Sequence, residues 1–403
     1  MPIDSNDSCC GCSACSVVCP ANAISMEETG KGFLYPLPDP EKCVKCGLCE
    51  KTCPVKEDRV SVDADPGIFA AQNRDRAVLN ASSSGGIMTP LFNYIIDHGG
   101  TVWGAAFDDH FHVRHCRASS KEEAALFRGS KYVQSDFSGV FKGVTEDLKK
   151  GGPVLVTGTP CQISGLIKYL SAVHADTAGL YTCDNICHGV PSPAIWEDYL
   201  AIIREKTGAE IASVNMRSKD TSWEKQSFQL RLPSGEVPEI TKQFSYNELY
   251  HSSDGLRPSC FECKYTSYSR AADLTVGDFW NYRQEKLPFA ADGGISEILV
   301  NTSKGEQLLS VLKETCHIAP VSKKAAWQPH LMYSIDKPGN YDAFWEKYVN
   351  AENASEKEAL LYSVLKCSPV KKMIRKVTPI LRRIGLYTLA GKAYRAVCGK
   401  KSK

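Results

Sequence analysis

Two cysteine runs near the start of the chain share one spacing, and they constrain this sequence more than any other feature. Each run reads Cys-x2-Cys-x2-Cys-x3-Cys-Pro, at Cys9, Cys12, Cys15 and Cys19 and again at Cys43, Cys46, Cys49 and Cys53. Three thiolates at this spacing can grip one face of an iron–sulfur cubane from a tight loop, and the proline then turns the chain away. Zinc binding or disulfides are disfavoured because a duplicated run of this kind is highly specific.

The pairing of the two runs follows from how two-cluster bacterial ferredoxins bind their metal. In those proteins the fourth cysteine of each run ligates the other cluster. We therefore predict one [4Fe–4S] cluster on Cys9, Cys12, Cys15 and Cys53, and a second on Cys43, Cys46, Cys49 and Cys19. Cys10 is out of register and is left without a ligand role. Residues 1–60 have little room for an apolar core, so metal must supply much of their folding energy.

Cysteine usage in the whole chain also indicates a cellular compartment. The 403-residue chain has 18 cysteines, but half of them lie in the two runs and beside them, which is a metal-binding pattern and not a disulfide scaffold. No charged segment followed by an apolar stretch opens the chain as a signal peptide would, and no apolar run is long enough to span a membrane. We expect a cytoplasmic protein.

The charge is distributed unevenly along the chain. Residues 366–403 contain twelve Lys or Arg and no Asp or Glu, so a chain of net charge +2 has a body that carries −10. Such a tail could place the protein at the inner face of an anionic membrane, dock an acidic redox partner, or remain a solvated end. Nucleic-acid binding is not supported because no aromatic stacking platform or known module accompanies the basic residues.

The sequence after residue 66 alternates between strand and helix patterns. Strands are predicted at 67–73, 101–108, 153–160 and 180–187, and helices at 85–97 (capped by Ser83 or Ser84), 138–150, 161–172 and 192–208, with a hairpin at 210–240 around Pro233–Gly235. This rhythm favours an α+β or mixed α/β fold. We expect a ferredoxin domain at 1–60, the two parts of one body at 66–150 and 151–325, and a helical extension with the basic tail at 326–403.

Four further cysteines and three small-residue loops are weaker candidates. Cys260 and Cys263 form a Cys-x2-Cys pair, Cys161 opens a helix, and Cys187 lies in a loop. Together they could hold a third cluster, but a zinc knuckle or inert buried thiols fit the spacing as well. The loops Ser82–Gly86, Gly129–Tyr132 and Thr157–Gln162 are rich in glycine and hydroxyl groups, which suit phosphate binding or simple turns. No Gly-x-Gly-x-x-Gly follows the first strand, so a Rossmann dinucleotide site is not supported.

Five segments in a fixed order, GSKYVQSD, LVTGTPCQISGL, ICHGVPSP, RPSCFECKY and ADLTVGDFW, resemble the family of beta subunits of the coenzyme F420 hydrogenases and dehydrogenases. The resemblance covers about residues 67–285. It implies a third [4Fe–4S] cluster on Cys161, Cys187, Cys260 and Cys263. It also implies FAD contacts at Ser84, Gly85, Gly86, Lys131, Tyr132, Thr157, Gly158 and Gln162. Lys131 and Asp278 are the candidate catalytic residues, as a cation beside the reduced flavin and as a proton donor.

The function that this resemblance implies is an iron–sulfur flavoprotein oxidoreductase. Electrons would pass between a redox partner such as ferredoxin, the N-terminal clusters, the third cluster, FAD and a small-molecule two-electron acceptor, which is coenzyme F420 or another substrate. The alternative is a non-enzymatic electron-transfer adaptor that uses only the ferredoxin clusters. A second alternative keeps those clusters and places structural zinc at Cys260 and Cys263. Flavin and metal content separate the three interpretations.

Overall fold

The N-terminal cysteine-rich segment folds as a small symmetric unit. The computed structural model describes residues 7–56, 65–225 and 227–365. Within the first range lie helices α1 (Ala14–Val18) and α2 (Leu48–Thr52) and the antiparallel strands β1 (Ile24–Glu28) and β2 (Leu34–Pro38). Each helix begins after a residue in the left-handed region, Ser13 at φ 68° and Gly47 at φ 76°. The duplicated sequence therefore gives a duplicated loop-and-helix structure.

Eight strands of the described residues form one mixed sheet in the order β12-β3-β11-β10-β7-β6-β4-β5. These strands are β3 (Gly67–Asn73), β4 (Thr101–Phe107), β5 (Val113–Ala118), β6 (Val154–Gly158), β7 (Leu180–Asn185), β10 (Leu274–Asp278), β11 (Ser296–Val300) and β12 (Cys316–Pro320). Strands β4, β6, β7 and β10 run parallel in the centre, and the outer strands are antiparallel. The predicted mixed α/β class is confirmed.

Helices cover both faces of this sheet and surround one end of it. They are α3 (Arg76–Ala81), α4 (Met88–Asp97), α5 (Lys121–Ala125), α6 (Val140–Lys149), α7 (Pro160–Ala172), α8 (Pro193–Thr207), α9 (Ile240–Gln243), α10 (Tyr246–Ser252), α11 (Ser303–Thr315), α12 (Tyr341–Val349) and α13 (Ala354–Leu365). A separate antiparallel pair is formed by β8 (Ser213–Ser218) and β9 (Ser227–Arg231). Among the described residues, no helix is both long and apolar enough to cross a bilayer.

The alternation of side chains along the central strands builds two cores. On β6, Leu155 packs with α4 and α11 on one face, whereas Val154 and Val156 pack with α6 and α7 on the other. Successive strand residues point to opposite faces, so one apolar run serves both. The second of these cores also contains Cys12 and Val18 of the N-terminal unit. The N-terminal unit is therefore packed onto the body through α7.

A third core joins the two ends of the described chain. It contains Trp196 of α8, Phe228 of β9 and Trp345 of α12, together with Phe33 and Tyr35 of the N-terminal hairpin. Phe33 is fully buried, and its ring centroid lies 6.2 Å from that of Trp345. The N-terminal unit thus lends aromatic side chains to the core of the body.

Two local predictions are wrong. The helix predicted at 85–97 begins only at Met88, because the N–H of Gly85 donates to Ser296 Oγ at 3.0 Å and Gly86 has φ 73°, which is not helical. Neither Ser83 nor Ser84 caps it. The hairpin is present at 213–231, but its connection is residues 219–226 and the Pro233–Gly235 turn follows the second strand. The other strands and helices in that part of the prediction lie within two residues of their predicted bounds.

Candidate functional site: converging thiols beside a large cavity

The first cysteine loop is buried under the body. Cys12 and Cys15 are buried, and Cys9 is half-buried. Burial raises the pKa of the Cys15 thiol to about 12, and its neighbours Cys9 and Cys53 contribute to that rise. The fourth cysteine of the second run therefore lies with the first three of the first run. The role of these four thiols as ligands of one cluster stays a prediction.

The second cysteine loop encloses a separate small cavity near the surface. Its lining includes Cys19, Cys43, Cys46 and Cys49. Cys46 is exposed, and Val44 beside it is 65% exposed. The structure thus brings together the second predicted set of thiols in a far more open place than the first.

The four cysteines of the weaker set meet in one cavity, although they come from three separate segments. Cys161 lies at the start of α7, Cys187 follows β7, and Cys260 and Cys263 flank the end of a 3₁₀ turn at Pro258–Glu262. Burial raises the pKa of the Cys260 thiol to about 12 and that of Cys187 well above its usual value, and the neighbouring thiols add to both shifts. Metal binding to such thiols must release protons, because thiolates are the ligands.

The donor chemistry of this cavity fits a cluster. Four sulfur donors are what a [4Fe–4S] cubane requires. In the described ranges, no three His, Cys, Asp or Glu side chains converge closely enough to hold a single metal ion. Cys183 is buried against Met88, with the two sulfur atoms 3.9 Å apart, and it does not line this cavity. We define the lining formed by Cys161, Cys187, Cys260 and Cys263 as the thiol cavity.

The thiol cavity has a fifth cysteine that sequence reasoning left without a role. Cys10 is 8% exposed and lines the cavity. Its side chain packs with that of Cys12 in one buried cluster, and Cys161 packs against the same cluster. The sequence did contain one sign of a role for Cys10: the repeated spacing does not require a second cysteine beside Cys9, and yet one is present.

A much larger cavity, of about 580 Å³, lies at the carboxyl ends of the parallel strands. Among the predicted residues, its lining includes Ser84, Gly86, Lys131, Tyr132, Thr157, Gly158, Gln162 and Asp278. Gly85 is instead packed between β3 and β11, where a Cβ atom would lie 2.6 Å from Ser296 N. The three small-residue loops therefore line one space, with Gly85 as a structural neighbour.

Hydrogen bonds between the loops hold the wall of this cavity. Ser130 N donates to Ser83 Oγ at 2.8 Å, which joins the first two loops. Thr159 and Gln162 form a reciprocal cap at the start of α7, and Gln162 Nε2 also donates to Ser135 Oγ at 3.0 Å. Gly129 has φ 83°, and a Cβ there would meet open space. These small, fixed loops leave room that fits a flavin nucleotide.

Lys131 is the predicted residue with the most perturbed chemistry. Burial lowers the pKa of its ammonium group to about 7. Its Nζ donates to the carbonyl oxygens of Leu126 and Arg128 at 2.8 and 3.0 Å. A lysine in this state can hold or release a proton at Nζ near neutral pH.

Part of the lining of the large cavity is aromatic, and of the residues in this aromatic end only Tyr132 and Asp278 were predicted from the sequence. Arg217 Nη1 donates to Asp278 Oδ2 at 2.5 Å, and its guanidinium lies 5.5 Å from the ring centroid of Trp280. The rings of Tyr132 and Tyr250 stack at 4.3 Å. Arg217 and Tyr250 lie in segments without a recognisable motif, so only the fold brings them here.

The large cavity and the thiol cavity share part of their walls. Residues 187–190 and His330 line both. His188 Nδ1 lies 2.8 Å from His330 Nε2, and burial lowers the pKa of the His330 ring to about 4. The shared wall is therefore one short loop backed by a histidine pair.

Comparison with known protein families gives two matches. Residues 152–324 match the model for the C terminus of the coenzyme F420 hydrogenase/dehydrogenase beta subunit, and residues 8–56 match the 4Fe-4S dicluster domain. The first match contains the weaker cysteine set, and the second contains both cysteine runs.

Three curated relatives agree with these matches. The chain is 21% identical to a subunit of the F(420)H(2) dehydrogenase of Methanosarcina mazei, covering 85% of this chain and 92% of that protein. It is 22% identical to the beta subunit of F420-dependent formate dehydrogenase 1 of Methanococcus maripaludis, covering 71% and 70%. Over 68 residues it is 37% identical to one subunit of the Na(+)-translocating ferredoxin:NAD(+) oxidoreductase complex of Acetobacterium woodii, covering 17% and 19%.

A solved structure is also similar in part. A chain of the F420-reducing [NiFe] hydrogenase complex from Methanosarcina barkeri aligns with 19% identity and a TM-score of 0.44, covering 78% of this chain and 92% of that chain.

Proposed function

We propose that this protein is an iron–sulfur flavoprotein component of an oxidoreductase, because residues 152–324 match the model for the C terminus of coenzyme F420 hydrogenase/dehydrogenase beta subunits and residues 8–56 match the 4Fe-4S dicluster domain. It would hold two clusters in its cysteine loops, a third in the thiol cavity and FAD in the large cavity. Electrons would pass between a one-electron protein partner and a two-electron acceptor.

The shared wall of the two cavities carries this proposal. Cys187 belongs to the thiol cavity, and the loop that follows it also lines the large cavity. Electron transfer requires short distances, and here a single loop separates the two spaces. A flavin supplies the exchange between one-electron and two-electron chemistry when it is bound.

Residues of the chain have distinct roles in this proposal. The loops at Ser84–Gly86, Lys131–Tyr132 and Thr157–Gln162 would bind and orient FAD, with Gly85 supporting its loop from behind. Lys131 would hold or deliver a proton at Nζ, because the pKa to which burial lowers it is about 7. Asp278 is held by Arg217 at the aromatic end, where it would orient the acceptor.

The relatives support the proposed acceptor and partners. Two of them are named for coenzyme F420, so a deazaflavin of that type is the proposed acceptor class. The named relatives are subunits of larger enzymes, and a ferredoxin-type partner fits the N-terminal clusters. Cytoplasmic location and contact of the basic tail with an anionic membrane stay predictions, and the tail lies outside the described residues.

Anaerobic purification with metal and flavin analysis tests the proposal. We expect about twelve irons, four per cubane, and one FAD per chain. Cys263→Ser should lose about four of these irons. Cys116→Ser, which changes a half-buried thiol on β5 outside both cavities, is the control and should keep all of them. A parent protein that binds no FAD at micromolar concentration would support the electron-adaptor alternative instead.

A glycine substitution tests where the flavin binds. Gly129→Asp places a carboxylate in the large cavity without a steric clash, because a Cβ there has no neighbour within 4 Å. Gly235→Asp is the matched control, since Gly235 has the same φ of 83° and the same open surroundings but does not line the cavity. We expect the first variant to lose flavin and keep its iron, and the second to keep both.

A further inference from the structure

The first cysteine loop meets the thiol cavity at one side chain. Cys10 packs in one buried cluster with Cys12, a proposed ligand of the first cluster, and with Cys161, a proposed ligand of the third. Its backbone carbonyl accepts from Gln134 Nε2 at 3.0 Å. Cys10 therefore spans the space between two proposed ligand sets.

A fully buried arginine clamps this turn to the body. Arg257 donates from Nε to the Cys9 carbonyl at 2.7 Å, from Nη2 to the Leu34 carbonyl at 2.9 Å, and from Nη1 to Gln134 Oε1 at 3.0 Å. Its guanidinium stacks 4.3 Å from the ring centroid of Tyr35. This planar fork makes three bonds in different directions, which a lysine cannot reproduce.

The same arginine belongs to the segment that carries the third set of thiols. The Cys260 N–H donates to the Arg257 carbonyl at 3.0 Å. Arg257 also lines the thiol cavity together with Cys260, while its guanidinium is hydrogen-bonded to the Cys9 carbonyl. Its positive charge therefore lies beside a proposed ligand of each cluster.

The second cysteine run reaches the body at its end, where the carbonyl oxygens of Cys53 and Pro54 accept from Lys168 Nζ at 3.3 Å and from the Tyr265 hydroxyl at 2.7 Å. The other thiols of this run line their own cavity, away from Cys10, and Cys46 is exposed. The two loops therefore differ in exposure, and of their described cysteines Cys10 of the first loop lines the thiol cavity whereas those of the second loop do not.

We propose that electrons cross between the N-terminal unit and the body at the turn of residues 9–11, with Cys10 and Arg257 as positioning residues. The second cluster is then the outer one, which meets the protein donor. This inference rests on the proposed function. With clusters bound, the first cysteine set would hold the reduced donor and the thiol cavity the oxidised acceptor of a one-electron transfer in which no bond or proton is exchanged, and the turn of residues 9–11 would fix their separation. The electron comes from a low-potential one-electron protein donor.

We call the turn of residues 9–11 with its contacts to the body the junction. Three variants of the full-length, cluster-loaded protein test it. Arg257→Gln removes the charge and most of the fork, Arg257→Lys keeps the charge alone, and Cys10→Ala removes one sulfur atom. Arg231→Gln, on the exposed end of strand β9, is the control. The probe is a dithionite-reduced two-cluster ferredoxin. Freeze-quench electron paramagnetic resonance follows reduction of the third cluster, and redox titration gives each midpoint potential.

We expect Arg257→Gln and Cys10→Ala to slow reduction of the third cluster at least about tenfold, since coupling falls steeply with separation, while the control matches the parent. In Arg257→Gln the midpoint potentials of the first and third clusters should also fall, because a nearby cation stabilises the reduced form. Arg257→Lys should restore the potentials but not the rate. If Arg257 had only a structural role, the rate of reduction and the midpoint potentials would not respond differently to Arg257→Lys.

Parent-like rates in both Arg257→Gln and Cys10→Ala, with about twelve irons retained, would overturn the junction and leave the proposed function standing. A parent protein with only about eight irons would overturn the proposed function and the junction together. If Arg257→Gln does not fold, Cys10→Ala decides the matter alone, because it deletes one atom from the contact and leaves the clamp intact.

Discussion

The two cysteine loops of the N-terminal unit have the same spacing but opposite surroundings. Cys10 is 8% exposed, whereas Val44, at the matching position of the second loop, is 65% exposed. Gly11 lies under Arg257, whereas the matching residue, Lys45, is on the surface. The difference teaches that the repeated spacing decides which thiols meet, while the residues between the cysteines decide which loop joins the body.

The largest expected effect is a difference in thermal stability between two variants, each of which loses one proposed cluster ligand from one loop. Cys12→Ser and Cys46→Ser should each lose about four irons. Only the first should also loosen the body, because Cys12 Sγ packs so closely on α7 that a Cβ on Gly165 would lie 3.1 Å from it. We expect the Cys12 variant to unfold roughly 5–10 °C below the Cys46 variant by tryptophan fluorescence. Equal midpoints would mean that the burial of the first loop is not coupled to the body.

Iron removal sharpens the same comparison in the parent protein. A chelator added under anaerobic conditions should release about four irons at least ~10-fold faster than the rest, because the second loop is open to solvent. The absorbance of the chelator complex follows this release. Cys46→Ser, which lacks the second cluster from the start, is the control and should show no fast phase. A single phase in the parent would contradict the ordering.

Two glycine substitutions, one in each loop at positions that are not equivalent but share a left-handed backbone, give a smaller effect. Gly11 and Gly47 have φ 67° and 76°, so alanine costs about 1–2 kcal/mol of unfolding free energy at either position. At Gly11 the Cβ would also lie 2.5 Å from Arg257 Nη1, which adds about 1–3 kcal/mol of overpacking. Gly47 has open space. Denaturant unfolding should therefore give a clearly lower unfolding free energy for Gly11→Ala than for Gly47→Ala. Equal losses of unfolding free energy would show that the Arg257 side chain moves aside at little cost.

The smallest effect concerns the residue before each helix. Ser13 and Gly47 hold the same left-handed conformation, but Ser13 has a side chain and is 3% exposed. Ser13→Gly relieves the steric cost and adds chain entropy to the unfolded state, so we expect a change in unfolding free energy within about 1 kcal/mol. The reciprocal variant, Gly47→Ser, should lose about 1 kcal/mol. A larger loss in Ser13→Gly would show that the Ser13 side chain makes a needed contact.

Local sequence predicted much of the fold because the strands and helices of the central sheet have strong apolar patterns. It failed at Gly85–Gly86, where contacts with Ser296, more than 200 residues away, set the backbone. The cysteine groups were visible from spacing and family motifs. Arg217, Arg257 and Cys10 were not, since their importance arises from contacts across 61, 248 and 151 residues of sequence.

The burial of Phe33 has a consequence for synthesis on the ribosome. Its cover, Trp345, is translated 312 residues later, which at about 5–20 residues per second is roughly 15–60 s. During that time the N-terminal hairpin of the nascent chain carries an aromatic side chain without this cover. The native burial of Phe33 is therefore completed only when the helix that carries Trp345 has emerged, so the N-terminal hairpin reaches its final packing late in synthesis.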